Sequence, residues 1–370
     1  MKQSITSAMV FLAMATTVLS QEAGTKKYAE IETKSLDELY TEAIEEGGTL
    51  ILRAGGDKAD QADYYLDLFK ARFPKIEVIH SVDLSKYHAP RFDSALEKDA
   101  EEDVPDVIQL QTLHDYDHYT ERGLLMAYKP KDWDKVYPDY KDPHGRWTGL
   151  FGVSFSNLIN IDVIDGDNAP RDAMDYLNPE LKGKIVFTYP HDDDAVLYQF
   201  WNLKQKYGWE YLEKLVATDP TWVRGTSMPY VAVNNGWYGA SFTTSWAFVP
   251  FPNSPARFML PKEDYFLTWF QTAAIPKKAK HKAAAKLYLN WMLSKDFQGK
   301  WLQWPIRMDV ETPGGYKPVH HYNTSAADFH RFMLKRDMIE RFRFQMEQLI
   351  GPIEGVSPLE MDYSTKPERG

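Results

Sequence analysis

Cysteine is absent from all 370 residues. Disulfides, thiolate metal sites and cysteine nucleophiles are therefore excluded, and stability has to come from packing. Basic residues are also scarce: 43 Lys and Arg stand against 53 Asp and Glu, a formal charge of -10. A surface with that balance repels nucleic acid and anionic lipid, so neither is an expected partner. Beyond the first twenty residues no apolar run is long enough to span a bilayer. No repeat of roughly 20 to 50 residues points to a solenoid, and no Walker loop, Rossmann fingerprint or Ser/His/Asp order occurs. Apolar side chains are plentiful, with 44% hydrophobic and 14% aromatic residues, enough to build two lobes.

Residues 1–20 read as a secretory signal: Lys2, then the apolar Ala8 to Leu19, then a cleavage position before Gln21. The expected protein is exported, carries no membrane insertion after cleavage and is a monomer. Residues Gln21 to Thr33 are polar and expected to fray, and Ser35 is placed to cap a first helix from Leu36 to Glu46. Thr49 to Arg53 contains Leu50, Ile51 and Leu52 in succession, the text of a strand buried on both faces. It runs into Ala54-Gly55-Gly56-Asp57, where two glycines allow close backbone approach. Tyr64, Tyr65, Leu68, Phe69 and Phe73 then recur at helical spacing until Pro74, and Ile76 to Ile79 forms a second strand. This βαβ unit places its glycine turn at a strand's carboxyl end, where open α/β sheets take ligands.

A helix from Tyr87 to Glu102 and a strand from Asp106 to Leu110 continue the pattern, and Gln111-Thr112 becomes a second cleft loop before a helix ending at Arg122. Trp147 to Ile161 is extended and apolar, a first crossover to a second lobe. Lys184 to Thr188, the helix Ala195 to Tyr207 opened by Asp192-Asp193-Asp194, and the helix Glu210 to Ala217 build that lobe. Ala240 to Trp246 reads as the way back, Phe266 to Ile275 as a strand, Lys280 to Leu293 as a helix continued by Gln298 to Trp304, and Phe329 to Leu349 as a terminal helix before a loose tail. The expected division is lobe 1 over 35–150 and 251–310, lobe 2 over 151–250, and a C-terminal helix and tail over 311–370.

Several stretches resemble the type II periplasmic solute-binding proteins, in particular the iron, thiamine and polyamine receptors of ABC importers. They are GGTLILRAGGD at 47–57, DVIQLQT at 106–112, GLLMAYKP at 123–130, WTGLFGVSFSNLIN at 147–160, LKGKIVFTYP at 181–190 and AAIPKKAKHKAAAKLYLNWMLSKDFQ at 273–298. The resemblance implies an α/β fold of two doubly wound lobes joined by two hinge strands, a small-molecule ligand clamped between them, a membrane importer as a possible partner, no cofactor and no chemistry. Ferric receptors of this kind carry a tyrosine pair near the second crossover, where Phe242-Thr243-Thr244-Ser245-Trp246 stands here, so iron does not follow. The thiamine-pyrimidine synthases among the relatives use a cysteine-rich motif that this chain lacks.

Asp57 faces a cationic ligand or caps the next turn. Asp192 and Asp193, with Asp194, either cap a helix or repel anions from the cleft, which favours a cation or a neutral polar solute; a zwitterion would reconcile this with an anion-clamping Arg224. Arg224 either clamps an anionic group or ties the aspartates. Trp246, Trp147 and Tyr230 could stack on a cation, and Thr243, Thr244 and Ser245 offer hydroxyls. The candidate ligand-binding set is Gly55, Gly56, Asp57, Gln111, Thr112, Asp192, Asp193, Arg224, Thr243, Thr244, Ser245 and Trp246. His114 and His118 lie four apart as zinc ligands do, yet the acid between them is Asp115 instead of Glu and no third ligand is evident, so a solvated helix start is favoured. The rival from another class is a secreted hydrolase using Asp57 and one of Asp192 to Asp194 as acid and base. A module that binds a protein partner is a third. Asn323-Thr324-Ser325 is a glycosylation sequon.

Overall fold

The computed structural model describes residues 29–367 apart from residue 99; the signal reading, on 1–20, lies outside the described residues. Ser35 caps α1 (Leu36–Glu45) as expected: its hydroxyl accepts the Glu38 N–H, and the Glu38 carboxylate accepts the Ser35 N–H at 2.7 Å. Strand β1 (Thr49–Gly55) follows, then α2 (Asp63–Arg72), β2 (Glu77–Asp83), α3 (Ser85–Glu97), β3 (Val107–Leu110) and α4 (Leu113–Glu121). β1 lies between β2 and β3 and parallel to both. It is not buried on both faces. Leu50 and Leu52 are fully covered, whereas Thr49, Ile51 and Arg53 are half-buried, because β2 beside them is an edge strand whose Ile79 stays 45% exposed.

The organising strand is β4 (Thr148–Asn160). After it come β5 (Val186–Thr188), α5 (Asp194–Tyr207), α6 (Trp209–Ala217), β6 (Thr221–Val223), α7 (Ser227–Asn234), β7 (Ala240–Thr244), β8 (Ala256–Met259) and β9 (Leu267–Ala274). The near half of β4, Thr148 to Phe155, pairs with β9, which in turn pairs with β3. The far half, from Ser156, pairs with β7 on one edge and β8 on the other. Leu150 and Phe151 therefore belong to the core under the first lobe, while Phe155 and Ile159 belong to that of the second. The expected return, Ala240 to Trp246, begins as β7 in the second core and leads to Phe248 in the first, but β7 pairs with the far half of β4 alone and does not run its length. β8 and β9 do so in series, opposite 157–160 and 148–155, parted by residues 260–266. Two antiparallel paths thus cross between two cores.

The chain continues through α8 (Lys282–Met292), α9 (Lys295–Gln298), α10 (Ala326–Met333) and α11 (Arg336–Ile350). Three features of this part of the chain differ from the sequence expectation. Residues past Gln298 do not prolong a helix: Ser294 caps the four-residue α9, and 299–304 is irregular. The terminal helix is two helices broken at Leu334-Lys335. The segment beyond Pro352 is not loose but packed, with Pro358 buried and Tyr363 half-buried. Residues 302–304 lie against β4, where the Gly152 N–H donates to the Trp304 carbonyl at 3.1 Å and the Trp301 indole donates back to the Gly152 carbonyl at 2.7 Å.

A methyl group on Gly152 would lie 2.7 Å from that Trp304 oxygen, too close without moving backbone. Gly152→Ala should lower the unfolding free energy by roughly 1–3 kcal/mol, read from the urea midpoint at constant slope. An unchanged midpoint would show that the segment yields.

Candidate functional site

The carboxyl ends of β1 and β3 bring the 55–57 and 111–112 loops to one edge of the first lobe, as parallel strands feeding helices require. Gly55 is indispensable there: a Cβ on it would collide with the Ser85 hydroxyl at 2.0 Å, and that hydroxyl accepts the Gln111 N–H at 2.9 Å. One glycine thus lets the start of α3 fasten the second loop. Facing this edge are the N-terminus of α5, with Asp192, Asp193 and Asp194, and the turn into α7 at Gly225-Thr226-Ser227.

Two cavities occupy the gap and share Gln111 and Trp269 as a common wall. The inner one, about 240 Å³, is lined by Asp57, Lys86, Asp193, Asp194 and, from the C-terminal helices, Arg336 and Arg343. The outer one, about 390 Å³, is lined by Gly55, Tyr65, Tyr230, Thr244, Ser245 and Trp301. The Trp269 indole N–H is buried and donates to no protein acceptor among the described residues. A bound acceptor would satisfy it.

Two residue pairs bridge the gap directly. Asp57 accepts from the Thr226 amide at 2.5 Å and the Thr226 hydroxyl at 2.7 Å, and Lys86 pairs with Asp192 at 3.0 Å. Arg224 holds Asp192 from behind through its Nε at 2.9 Å. Burial works against an ionised Asp192, but Arg224 and Lys86 outweigh it and hold the carboxyl below its ordinary range. Asp194 takes Arg336 at 2.9 Å and also Arg343. The remaining pair is different. Asp193 caps α5 by accepting the Ala195 and Val196 amides at 2.8 and 2.9 Å, and neither it nor Asp57 forms a salt bridge with lysine or arginine among the described residues. Burial, with the Asp57 charge next, pushes Asp193 up to about 7; burial likewise raises Asp57. Burial also lowers His114 and raises the neighbouring Asp115, and no cluster able to hold a metal forms among the described residues.

Asp57, Gln111, Thr112, Asp192 and Asp193 therefore line the inner cavity, and Gly55, Gln111, Thr244 and Ser245 the outer one. Gly56, Arg224, Thr243 and Trp246 line neither. Gly56 makes room for Val82 and Gln61, Arg224 stands behind Asp192, and Thr243 is fully buried with its hydroxyl accepting the Thr188 amide at 2.8 Å. Trp246 packs behind Tyr230, ring centroids 5.2 Å apart, and Trp147 lies against Tyr116 and His330 away from the gap. Trp269, Lys86, Arg336 and Arg343 went unread in the sequence. Lys86 meets Asp192 across 106 residues, a distance over which local pattern carries no signal.

A profile of the family described as bacterial extracellular solute-binding protein matches residues 102–302. The chain belongs to that family. Among solved structures, the chain is similar to an ABC transporter's substrate-binding protein from Agrobacterium tumefaciens, with a TM-score of 0.67, 16% identity, and 82% of this chain and 94% of the other covered. It is also similar to iron-bound HitA from Pseudomonas aeruginosa (0.62, 18%, 80% and 99%) and to AfuA from Actinobacillus pleuropneumoniae with exogenous fructose-6-phosphate (0.62, 17%, 82% and 99%). These likenesses establish the two-lobed fold. No curated protein matches the chain. Among the described residues no helix is long and apolar enough to cross a membrane.

The Asp57 bonds span the lobes of this solute-binding protein, which makes their loss measurable. Asp57→Ala leaves the Thr226 amide and hydroxyl without their acceptor and should cost roughly 1–3 kcal/mol of stability in denaturant unfolding. Asp57→Asn keeps an oxygen at the site and should cost less. Equal losses would place the stabilising role elsewhere than in the Thr226 bonds.

Proposed function

We propose that this receptor clamps a small polar solute carrying a positive charge, a cation or a zwitterion, with the cationic group seated between Asp57 and Asp193. The observation that carries the reading is the charge balance of the inner cavity. Each lysine and arginine at its wall is already matched, Lys86 on Asp192 and Arg336 and Arg343 on Asp194, while Arg224 holds Asp192 from behind the wall. Asp57 and Asp193 are left as neighbouring carboxylates that repel one another. A bound ammonium relieves that repulsion and replaces the missing counter-charge, whereas a phosphate or sulfate would add to it. The outer cavity supplies aromatic faces, Tyr230, Trp269 and Trp301, for the body of the solute. The reading assigns no reaction to the cleft. Asp57 is occupied by Thr226, which suits a clamp better than an acid or base that must move a proton. Release from the cell, delivery to a membrane importer and a monomeric state belong to the same proposal.

Thermal shift against amines, thiamine and amino acids on one side and phosphonates and sulfate on the other tests it. A cation at about a hundred times its Kd should add about 2.7 kcal/mol of stability, and phosphonates and sulfate none. Stabilisation by the anions alone would overturn the reading.

The pH dependence has a definite sign. Asp193 binds a proton up to about pH 7 in the empty protein, above the ordinary carboxylate range, so its own contribution to the stability of the empty protein falls as pH rises towards 7. A cation binds the ionised form and displaces that proton. Its affinity should therefore be highest above pH 7 and weaken as pH falls below it, and calorimetry in buffers of different ionisation enthalpy should show proton release. Affinity that stays flat across this range in the native protein would exclude Asp193 from the site.

A further inference from the structure

We propose that residues 352–367 form an intramolecular strap that fastens the two lobes over the solute chamber, so that closure does not depend on solute alone. The strap rides on the second lobe. The Tyr238 hydroxyl donates to the Pro367 carbonyl at 3.3 Å, the Lys366 ammonium stands 4.7 Å from the centre of the Tyr238 ring, and Met361 packs on the same small apolar cluster. Its middle enters the gap. Pro358 is buried and forms part of the inner wall against Gly225; a Cβ at that glycine, whose φ is +69°, would lie 2.7 Å from the proline ring. Between these anchors Tyr363, packed on the same second-lobe cluster, reaches across to the first lobe: its hydroxyl lies 3.2 Å from the Asp57 carbonyl oxygen and 3.0 Å from that of Pro358, and the Lys58 ammonium approaches its ring at 5.6 Å.

Since the rest of the strap moves with the second lobe, opening the gap must break the contacts that Tyr363 makes with Asp57 and Lys58. Each is weak alone, but the covalent connection holds Tyr363 at high effective concentration beside its partner. The same Asp57 takes the Thr226 amide through its carboxylate, so strap and direct interlobe bond meet on one residue. This inference concerns the regulation of the cleft proposed above as the solute site, but the fastening itself is measured without solute. Failure of cation binding and failure of the strap are therefore separate results.

The test compares the full chain with one ending at Gly351, both free of added solute, by hydrogen exchange and small-angle scattering, after near-ultraviolet circular dichroism has established that the shortened chain is folded. The Thr226 amide should exchange roughly tenfold faster without the strap, and the radius of gyration should rise beyond the change due to lost mass. Unchanged exchange at Thr226 together with unchanged compactness overturns the proposal. Where the shortened chain fails to fold, Tyr363→Phe removes the hydroxyl and keeps the ring. It should still raise exchange at Thr226 several-fold, and no rise would overturn the proposal equally.

Discussion

Everything in this fold is tied to the fact that one strand serves two cores. β4 gives its first half to β9 and its second to β7 and β8, so the crossing segment is part of the sheet of both lobes. The far half of β4 is paired on both edges and the near half on one, and its register shifts fall at Gly149/Phe151 and Ser156/Leu158, one in each half. The irregular steps therefore bracket the middle of the crossing, where bulges let a sheet change direction without losing its ladder. That placement is what a hinge requires. Bending there alters the angle between lobes while the cores on either side keep their packing.

The gap between those cores is where charge is expensive. Of five aspartates around the inner cavity, Asp192 and Asp194 are each matched by two cations, and Asp115 sits beside the neutral-leaning His114. Asp57 and Asp193 have only amides and a hydroxyl, which satisfy lone pairs without cancelling charge. Helix α5 helps, since its amino end carries part of a positive charge directly under Asp193. It does not help enough, because the neighbouring carboxylate of Asp57 works in the opposite sense. A site with such an imbalance is least stable when empty and ionised, which is the physical basis of the proposal that its solute brings the missing charge.

The first lobe was legible in the sequence because its information is local. The period change from β1 to α2, the stop at Pro74, the capping pair Ser35 and Glu38, and the glycine turn all lie within a dozen residues of what they determine. The triple aspartate before α5 was legible for the same reason, and one of its members, Asp193, does cap the helix. Residues 227–234 and 256–259 were not read as elements. Pro229 sits inside the first turn of α7, where proline is tolerated but reads as a breaker, and β8 is only four residues long between Pro255 and Pro261. The bonds that make the cleft were unreadable in principle. Asp57 and Thr226 are 169 residues apart, and nothing in either neighbourhood specifies the other.

The C-terminal residues show most clearly why composition misleads. Pro, Asp, Lys and Glu beyond Pro352 read as a solvated tail, and most of these side chains are indeed exposed. What orders the segment is a few residues, Pro358, Met361 and Tyr363, that find cover only because two lobes have already formed a rim. α10 works in the same way from the other side. It packs on β9, α4 and α5, and its His330 meets Asp117 of α4 at 2.7 Å, while Arg336 just beyond it binds Asp194 of α5. A hinge with bonds to both lobes on two flanks has its resting angle biased by its own chain. Under the proposed clamp and strap, the energy of closing over a solute is drawn less from creating interlobe contacts and more from filling a chamber whose walls already stand.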